Sequence, residues 1–506
     1  MTATLADVLF AAARAAPAAP ALVGEAGTLG FGELAARVEA VAAGLRALER
    51  PDAPRPHALA LRPDRDDVIA LLAHAVAGIP ILPLHPSLPE AEALRLAEAA
   101  GARRLTVAET LALARPPRPE APRPEGTDDL FLVATSGSSG PPKIARLAHR
   151  AVLTAAFALT RRLPFGPNDR WILTLPLAHV GGLSVIARCL AAQKPMVLVP
   201  RFSEDAVLAA IGEHGGTRLS AVPAIADRLL ATGHGDLISR LSLIMLGGQA
   251  APLALRRALR EAGVPAVASY GLTESCAAAA CESPEEAGLL LPGAGRALDG
   301  VKIAIADDAG QPLPAGVPGR ILLETDSLLS GYLGRPDLAV RDAAGRFDTG
   351  DLGLLDESGR LHVEGRRAET IVTGGEKVVP GTVEAVLREH PAVREAVVFA
   401  VPDPRWGAIV CAAVERTPGG NDPAPVDSGL ADLVRADSVF ADSVLAAELA
   451  AICARDLPPW ARPRRLAVIE HLPRLGNGKI DRRAVPALAA PLLWPLPAPQ
   501  AGDPPS

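Results

Sequence analysis

Apolar residues recur at three- and four-residue spacing over residues 5–15, 31–48 and 67–77, which predicts three amphipathic or buried helices. Short apolar runs at 57–61 and 79–84 predict strands between them. The longest apolar stretch, 68–84, is broken by His74, Gly78 and Pro80, so it predicts a buried helix running into a strand rather than a membrane span. Further strand-like runs at 130–134, 171–175, 196–199, 219–222 and 243–246 alternate with helical segments, the pattern of parallel sheets covered by helices. After about Gly300 the texture changes, and 301–305 and 319–324 predict a β-rich subdomain joined by Gly/Pro turns.

The expected fold class is therefore α/β. A large N-terminal domain of helix-covered parallel sheets plus a β-rich subdomain takes 1–365, a small α+β C-terminal domain takes 366–487, and a Pro-rich tail at 488–506 is expected to be disordered. The segment 115–129, dense in Pro, Arg and Glu, predicts an exposed connector. Residues 416–447 predict an inserted surface loop plus helix with a near-repeat at 434–444.

Composition narrows the function classes. The 506 residues can bury a sizeable core, and the net charge of −6 is small for that length. The arginines are interleaved with acids and only 3% of residues are aromatic, which argues against nucleic-acid binding. Five scattered cysteines without CxxC spacing argue against a disulfide framework or zinc site and fit a reducing compartment. No basic segment precedes Asp7, so a signal peptide is not expected and the expected location is cytoplasmic. Homo-oligomer formation is left open.

One bias points to chemistry. Against 46 arginines there are five lysines, and two of them, Lys143 and Lys479, sit in Gly-rich segments. Lysine is a compact point charge and arginine a wide planar one, so a crowded phosphate or carboxylate is a reason to keep lysine there. The loop Thr135-Ser136-Gly137-Ser138-Ser139-Gly140-Pro141-Pro142-Lys143 follows a strand. Its N–H groups, hydroxyls and ammonium can cradle phosphates. It lacks Gly-Lys-Ser/Thr, so it is not a P-loop. Ser269-Tyr270-Gly271-Leu272-Thr273-Glu274-Ser275 joins an aromatic face, a hydroxyl and a carboxylate, suited to a base, a phosphate and Mg²⁺. Asp351 follows Gly350 and can accept two ribose hydroxyls. Gly365-Arg366-Arg367, Thr373-Gly374-Gly375-Glu376-Lys377 and Pro473–Lys479 complete the set.

In these motifs and their order the chain resembles the adenylate-forming superfamily of acyl- and aryl-CoA ligases, adenylation domains and firefly-type luciferases. The resemblance runs from Leu5 to about Arg483. It implies a carboxylate substrate, ATP and Mg²⁺, and commonly CoA as the thiol that displaces AMP. It also implies that Thr135, Ser136, Gly137, Ser138, Ser139, Gly140 and Lys143 wrap the β- and γ-phosphates, with Thr135 and Glu274 at the metal. Tyr270 would lie against adenine, with Ser269, Gly271, Gly247, Gly248 and Gln249 around that pocket. Thr273 would contact the α-phosphate, and Asp351 with Arg366 the ribose. Lys479 would bridge the two reacting groups. A mobile C-terminal domain is implied too, its pivot aligning with Ala368, where a polar residue is usual. Ile144, Arg320 and Glu369 are further departures, none at a reacting group.

The segment 175–188 bears on the acid. His179 would line the acyl pocket, against the bland alternative of a packed histidine at a helix start. Here, and at Ser220-Ala221-Val222-Pro223 and Tyr270–Cys276, the chain is most similar to the o-succinylbenzoate–CoA ligases of menaquinone biosynthesis. Ala178 replaces the usual aromatic, which implies a wider pocket. Arg188 would neutralise the second carboxylate of such a substrate, and Ser275 and Cys276 would line the ring. Another small aryl- or acyl-CoA ligase remains the alternative. A carrier-protein loader is less favoured, since Val426-Asp427-Ser428-Gly429-Leu430 lacks the surrounding module.

Overall fold

The computed structural model describes residues 3–49, 54–116, 128–135, 143–417, 431–475 and 479–496. Side chains of 431–442 are not described, and the expected connector lies largely outside the described residues. The chain forms two compact units, Met1–Thr349 with Leu354–His362, and Gly350–Gly353 with Val363–Ser506.

Among the described residues, the first unit carries a nine-stranded sheet. Its order is Arg296–Ala297, Ala277–Cys281, Ala266–Leu272, Leu243–Leu246, Arg218–Ala221, Trp171–Leu173, Met196–Leu198, Pro20–Val23 and Leu29–Gly30. The six strands from Ala266–Leu272 to Pro20–Val23 are parallel. Such strands are covered on both faces, which is why they are nearly continuous apolar runs. Their side chains still alternate. Trp171, Leu173, Leu243 and Met245 enter one core with Leu72, Phe131 and Ile186. Ile172, Val197, Leu219 and Ile244 enter another with Val207, Leu229 and Leu259.

A six-stranded sheet in the same unit runs Gly331–Tyr332, Lys143–Ala148, Asp129–Thr135, Ile81–Leu84, His57–Ala60 and Arg103–Arg104. Helix Arg65–Ala77 starts at an Asp64 cap, whose side chain accepts from the Asp67 N–H, and ends at left-handed Gly78. It is buried on every side from Asp67 to Ala77, as the 68–84 pattern predicts. No helix among the described residues is long and apolar enough to cross a membrane. Val301–Ala306 and Gly319–Thr325 pair antiparallel in the expected β-rich region.

The second unit is α+β. Its sheet runs Val393–Asp403, Gly407–Arg416, Arg465–Ile469, Trp494–Pro495. Helices Pro380–Leu387 and Ala431–Asp456 contribute to the core on one face, helix Val485–Ala489 to the other. Between Ile371–Thr373 and Glu376–Val378, Gly374 (φ 58°) and Gly375 (φ 90°) form a two-residue hairpin turn that needs positive φ at both positions.

Three expectations change. The unit division falls at His362/Val363 with Gly350–Gly353 assigned to the second unit, rather than at 365/366. The tail is not disordered from 488: Trp494 pairs with Leu466, and Leu493 packs on the core, so apolar contacts order the chain to 496. The 416–447 segment is not only a surface insertion, because Leu445 and Ala446 are buried with Leu449 and Cys453 of the same helix. Residues 418–430 lie outside the described set.

Candidate active site

Strands Arg218–Ala221, Leu243–Leu246 and Ala266–Leu272 lie side by side, and the motif residues follow or close them. Ligands of open α/β sheets bind beyond such carboxyl ends. Gly247, Gly248 and Gln249 leave the end of Leu243–Leu246, and the Gly247 N–H donates to the Ala221 carbonyl at 3.1 Å. The Ser269 hydroxyl donates to the Leu246 carbonyl at 2.9 Å and ties two strands together. Tyr270 is buried in its strand and pairs with Ala280.

The next turn is tightly built. A Cβ on Gly271 would sit 1.7 Å from the Ala277 carbonyl oxygen, so only glycine fits. Thr273–Ser275 makes one 3₁₀ turn, followed by Cys276 at φ 54° and Ala277 at φ 102°. Two successive non-glycine residues at positive φ store strain beside the motif. Ser275 is fully buried; its hydroxyl accepts from the Leu272 N–H (3.2 Å) and donates to the Ala277 carbonyl (2.9 Å). The turn thus uses that hydroxyl both as acceptor and as donor. Cys276 is buried as well, and burial pushes its thiol far above the ordinary range.

The ends of the Ser/Gly loop are pinned as a hairpin, Thr135 opposite Lys143, with the Thr135 hydroxyl donating to the Lys143 carbonyl at 3.2 Å. Ser136, Gly137, Ser138, Ser139 and Gly140 lie outside the described residues. The Lys143 ammonium stands 5.3 Å from the ring centre of Tyr332, and the Tyr332 hydroxyl donates to Glu274 Oε1 at 2.8 Å. Thus the loop lysine and the motif carboxylate are joined through a residue that motif reading missed. Its only signal was rarity, since the chain has two tyrosines and both fall here. Glu274 Oε2 has no hydrogen-bond partner among the described residues. No group of three or more His, Cys, Asp or Glu among them could hold a metal alone. One half-buried carboxylate with an open oxygen suits a magnesium ion that arrives on phosphates and keeps most of its other ligands.

His179 caps helix Val180–Ala192 from an extended conformation without a side-chain cap bond, and Ala178 before it is buried. One face of that helix carries Arg188, which is 1% exposed. Its guanidinium lies 4.2 Å from the Trp171 ring centre and donates to the Ser184 carbonyl (3.0 Å) and hydroxyl (2.7 Å). No carboxylate among the described residues pairs with it. Burial lowers its pKa to about 10, so it stays charged at neutral pH. Arg218, on the same indole, is by contrast neutralised by Asp169 at 2.7 Å.

The second unit gathers the other polar motif residues. Asp351 is buried and pairs with Arg366 Nε at 2.9 Å. Lys479 is half-buried, its carbonyl accepting from the Leu475 N–H at 2.7 Å. Burial first, and the Arg366 charge second, hold its pKa below the ordinary lysine value. Ala368 lies in the 3₁₀ turn Arg367–Glu369, and Glu369 is 3.1 Å from Arg482.

Known proteins share the sequence and fold of this chain. Residues 9–117 and 103–333 match the AMP-binding enzyme family, and residues 382–479 match the AMP-binding enzyme C-terminal domain. The 2-succinylbenzoate–CoA ligase of Bacillus velezensis is 34% identical over 358 residues, 70% of this chain and 68% of that one. The sulfoacetate–CoA ligase of Cupriavidus necator is 32% identical over 372 residues, 72% and 67% of the two chains. The o-succinylbenzoate CoA synthetase of Bacillus subtilis, solved with its acyl-adenylate intermediate, superimposes with a TM-score of 0.79 at 29% identity over 96% of this chain and 98% of that one. The same enzyme with ATP and a magnesium ion gives 0.78 at 29% identity over 94% and 98%. The chain belongs to the AMP-binding enzymes, the adenylate-forming ligases that join an acid to a thiol.

Proposed function

We propose that this ligase converts o-succinylbenzoate, ATP and CoA into o-succinylbenzoyl-CoA, AMP and pyrophosphate, a step of menaquinone biosynthesis. The observation that carries the substrate choice is Arg188. A buried cation without an acidic partner is costly in isolation, and an anionic ligand group would offset that cost. The aromatic carboxylate left over after the succinyl carboxylate has reacted is such a group. Ala178, small where an aromatic is usual, leaves room for the ring.

The reaction has two steps. A carboxylate oxygen attacks the α-phosphorus of ATP, the bond to the β-phosphate breaks, and pyrophosphate leaves. The CoA sulfur, having lost its proton, then attacks the acyl carbon, and AMP leaves. Both partners of the first step are anions, so fixed cations lower the barrier most. Lys479 supplies one at the reacting oxygens. Lys143 and the loop 135–143 bind the β- and γ-phosphates, and Thr273 binds the α-phosphate. Glu274 holds the Mg²⁺ that screens phosphate charge. Asp351, oriented by Arg366, accepts the ribose hydroxyls, and Tyr270 packs beside adenine.

The buried free cysteines fit work in a reducing cytoplasm. A second reading, another small acyl-CoA ligase, is favoured by the sulfoacetate-named relative, whose acid also carries a second anionic group. A panel of carboxylic acids scored by CoA-dependent AMP release separates the two. o-Succinylbenzoate should lead; benzoate or sulfoacetate turning over far better would remove this substrate and leave the ligase chemistry standing.

A further inference from the structure

Tyr332 lies outside every motif that identified the site, yet it touches two of the groups those motifs supply. Its short strand, Gly331–Tyr332, pairs antiparallel with Lys143–Ala148, Tyr332 opposite Ala145, which brings the ring beside the end of the phosphate loop. There the Lys143 ammonium is 5.3 Å from the ring centre. The phenol donates to Glu274 Oε1 at 2.8 Å, and close by the Leu329 N–H donates to the Glu274 backbone carbonyl at 2.8 Å. One segment, 329–332, therefore grips Glu274 by both main chain and side chain.

We propose that Tyr332 is a positioning residue for Mg·ATP. Its hydroxyl fixes one oxygen of Glu274 so that the other is presented to the cation, and its ring steadies the Lys143 ammonium at the mouth of the loop. The assignment rests on the ATP-dependent reading above. A carboxylate already held by a charge-assisted hydrogen bond loses less rotamer freedom when a metal binds, and a cation over a ring face is attracted by its quadrupole. A tyrosine serving only packing would alter stability while leaving metal and nucleotide affinity in fixed proportion.

The test measures binding rather than turnover, by Mn²⁺ electron paramagnetic resonance and calorimetry with a non-hydrolysable ATP analogue. Tyr332→Phe should weaken Mn²⁺ in the ternary complex about tenfold and leave the metal-free analogue within about twofold. Tyr332→Leu should weaken the metal-free analogue as well, by about threefold, through the lost ring. Placed on Glu274→Gln, Tyr332→Phe should cost nothing further in Mn²⁺ affinity. Wild-type Mn²⁺ affinity in the Phe variant, or an equal loss on the Gln background, overturns the proposal. The Phe variant differs by one atom and keeps the test open should the Leu variant fold poorly. Wild-type protein that binds neither form of the nucleotide overturns the ATP-dependent reading along with it.

Discussion

Arg366 Nε lies 2.9 Å from Asp351 Oδ1, and the pair is asymmetric: the aspartate side chain is 8% exposed, while the arginine side chain is 49% exposed. An exposed guanidinium contributes little to stability through such a pair, but it does orient the buried acid. Asp351→Asn should therefore weaken AMP binding by about tenfold or more, the usual cost of losing a charged hydrogen-bond acceptor. Its melting temperature should stay close to wild type. Calorimetric titration with AMP checks the first half, and a large drop in melting temperature would assign the pair to folding instead.

Lys479→Ala should lower adenylation by about 10²–10³-fold, the typical effect of removing one preorganised charge. Thioester formation from preformed adenylate should suffer much less. The pH dependence has a definite sign. Burial and the Arg366 charge depress the Lys479 pKa, so its ammonium is lost at lower pH than the ordinary 10.5. The alkaline limb of kcat/KM should accordingly start early, and Lys479→Arg should move it up. Equal losses in both half-reactions would contradict this role.

Removing the buried cation tests the acid pocket. Arg188→Met should cut kcat/KM for o-succinylbenzoate by about 10²-fold or more, while a monocarboxylic acid loses little. Because no carboxylate among the described residues depends on Arg188, stability should fall little or even rise. Equal losses on both acids would return Arg188 to a packing role on Trp171.

The strained turn offers a backbone test. Ala277→Gly relieves a φ of 102° and should raise the urea midpoint, with about 1 kcal/mol at stake. Gly271→Ala drives a Cβ to 1.7 Å from the Ala277 oxygen and should cost at least about 3 kcal/mol. Loss of nucleotide binding in the stabilised Ala277→Gly protein would show that the strain serves the site.

Helix Arg65–Ala77 carries two opposed proton linkages. Burial depresses His74 from 6.5 to about 3, so as pH falls through that window the unfolded chain binds the proton first and stability is lost. Burial raises Asp67 from 3.8 to about 6, so between those values the folded chain binds first and stability is gained. The two offset between about pH 6 and 4. Asp67→Asn keeps an acceptor for the Arg62 N–H but removes the gain. It should uncover a loss of up to about 1.4 kcal/mol per pH unit, read by urea unfolding at pH 6 and pH 4. A slope unchanged from wild type would mean that Asp67 takes up no proton on folding in that window.

The parallel strands were legible because burial on both faces leaves uninterrupted apolar runs, as at 243–246. The 488–496 segment was not, because proline content suggests disorder whereas Trp494 finds its partner in Leu466, far away in sequence. The resemblance implies that Ser269 lies at the nucleotide and Ser275 beside the ring of the acid, but the partners of their hydroxyls are not legible in the motif. Folding spends their hydroxyls on the backbone carbonyls of Leu246 and Ala277.

By itself the order of residues settles which chemical groups are available and the elements that carry them, since motif spacing and hydrophobic period are local properties. Which groups meet was decided only in three dimensions. Tyr332 reaches Glu274 across 58 positions of chain, and Arg188 pairs with no acid among the described residues while Arg218 on the same indole pairs with Asp169. Those pairings follow from strand order and packing, where contact depends on the sheet neighbour and not on distance along the chain.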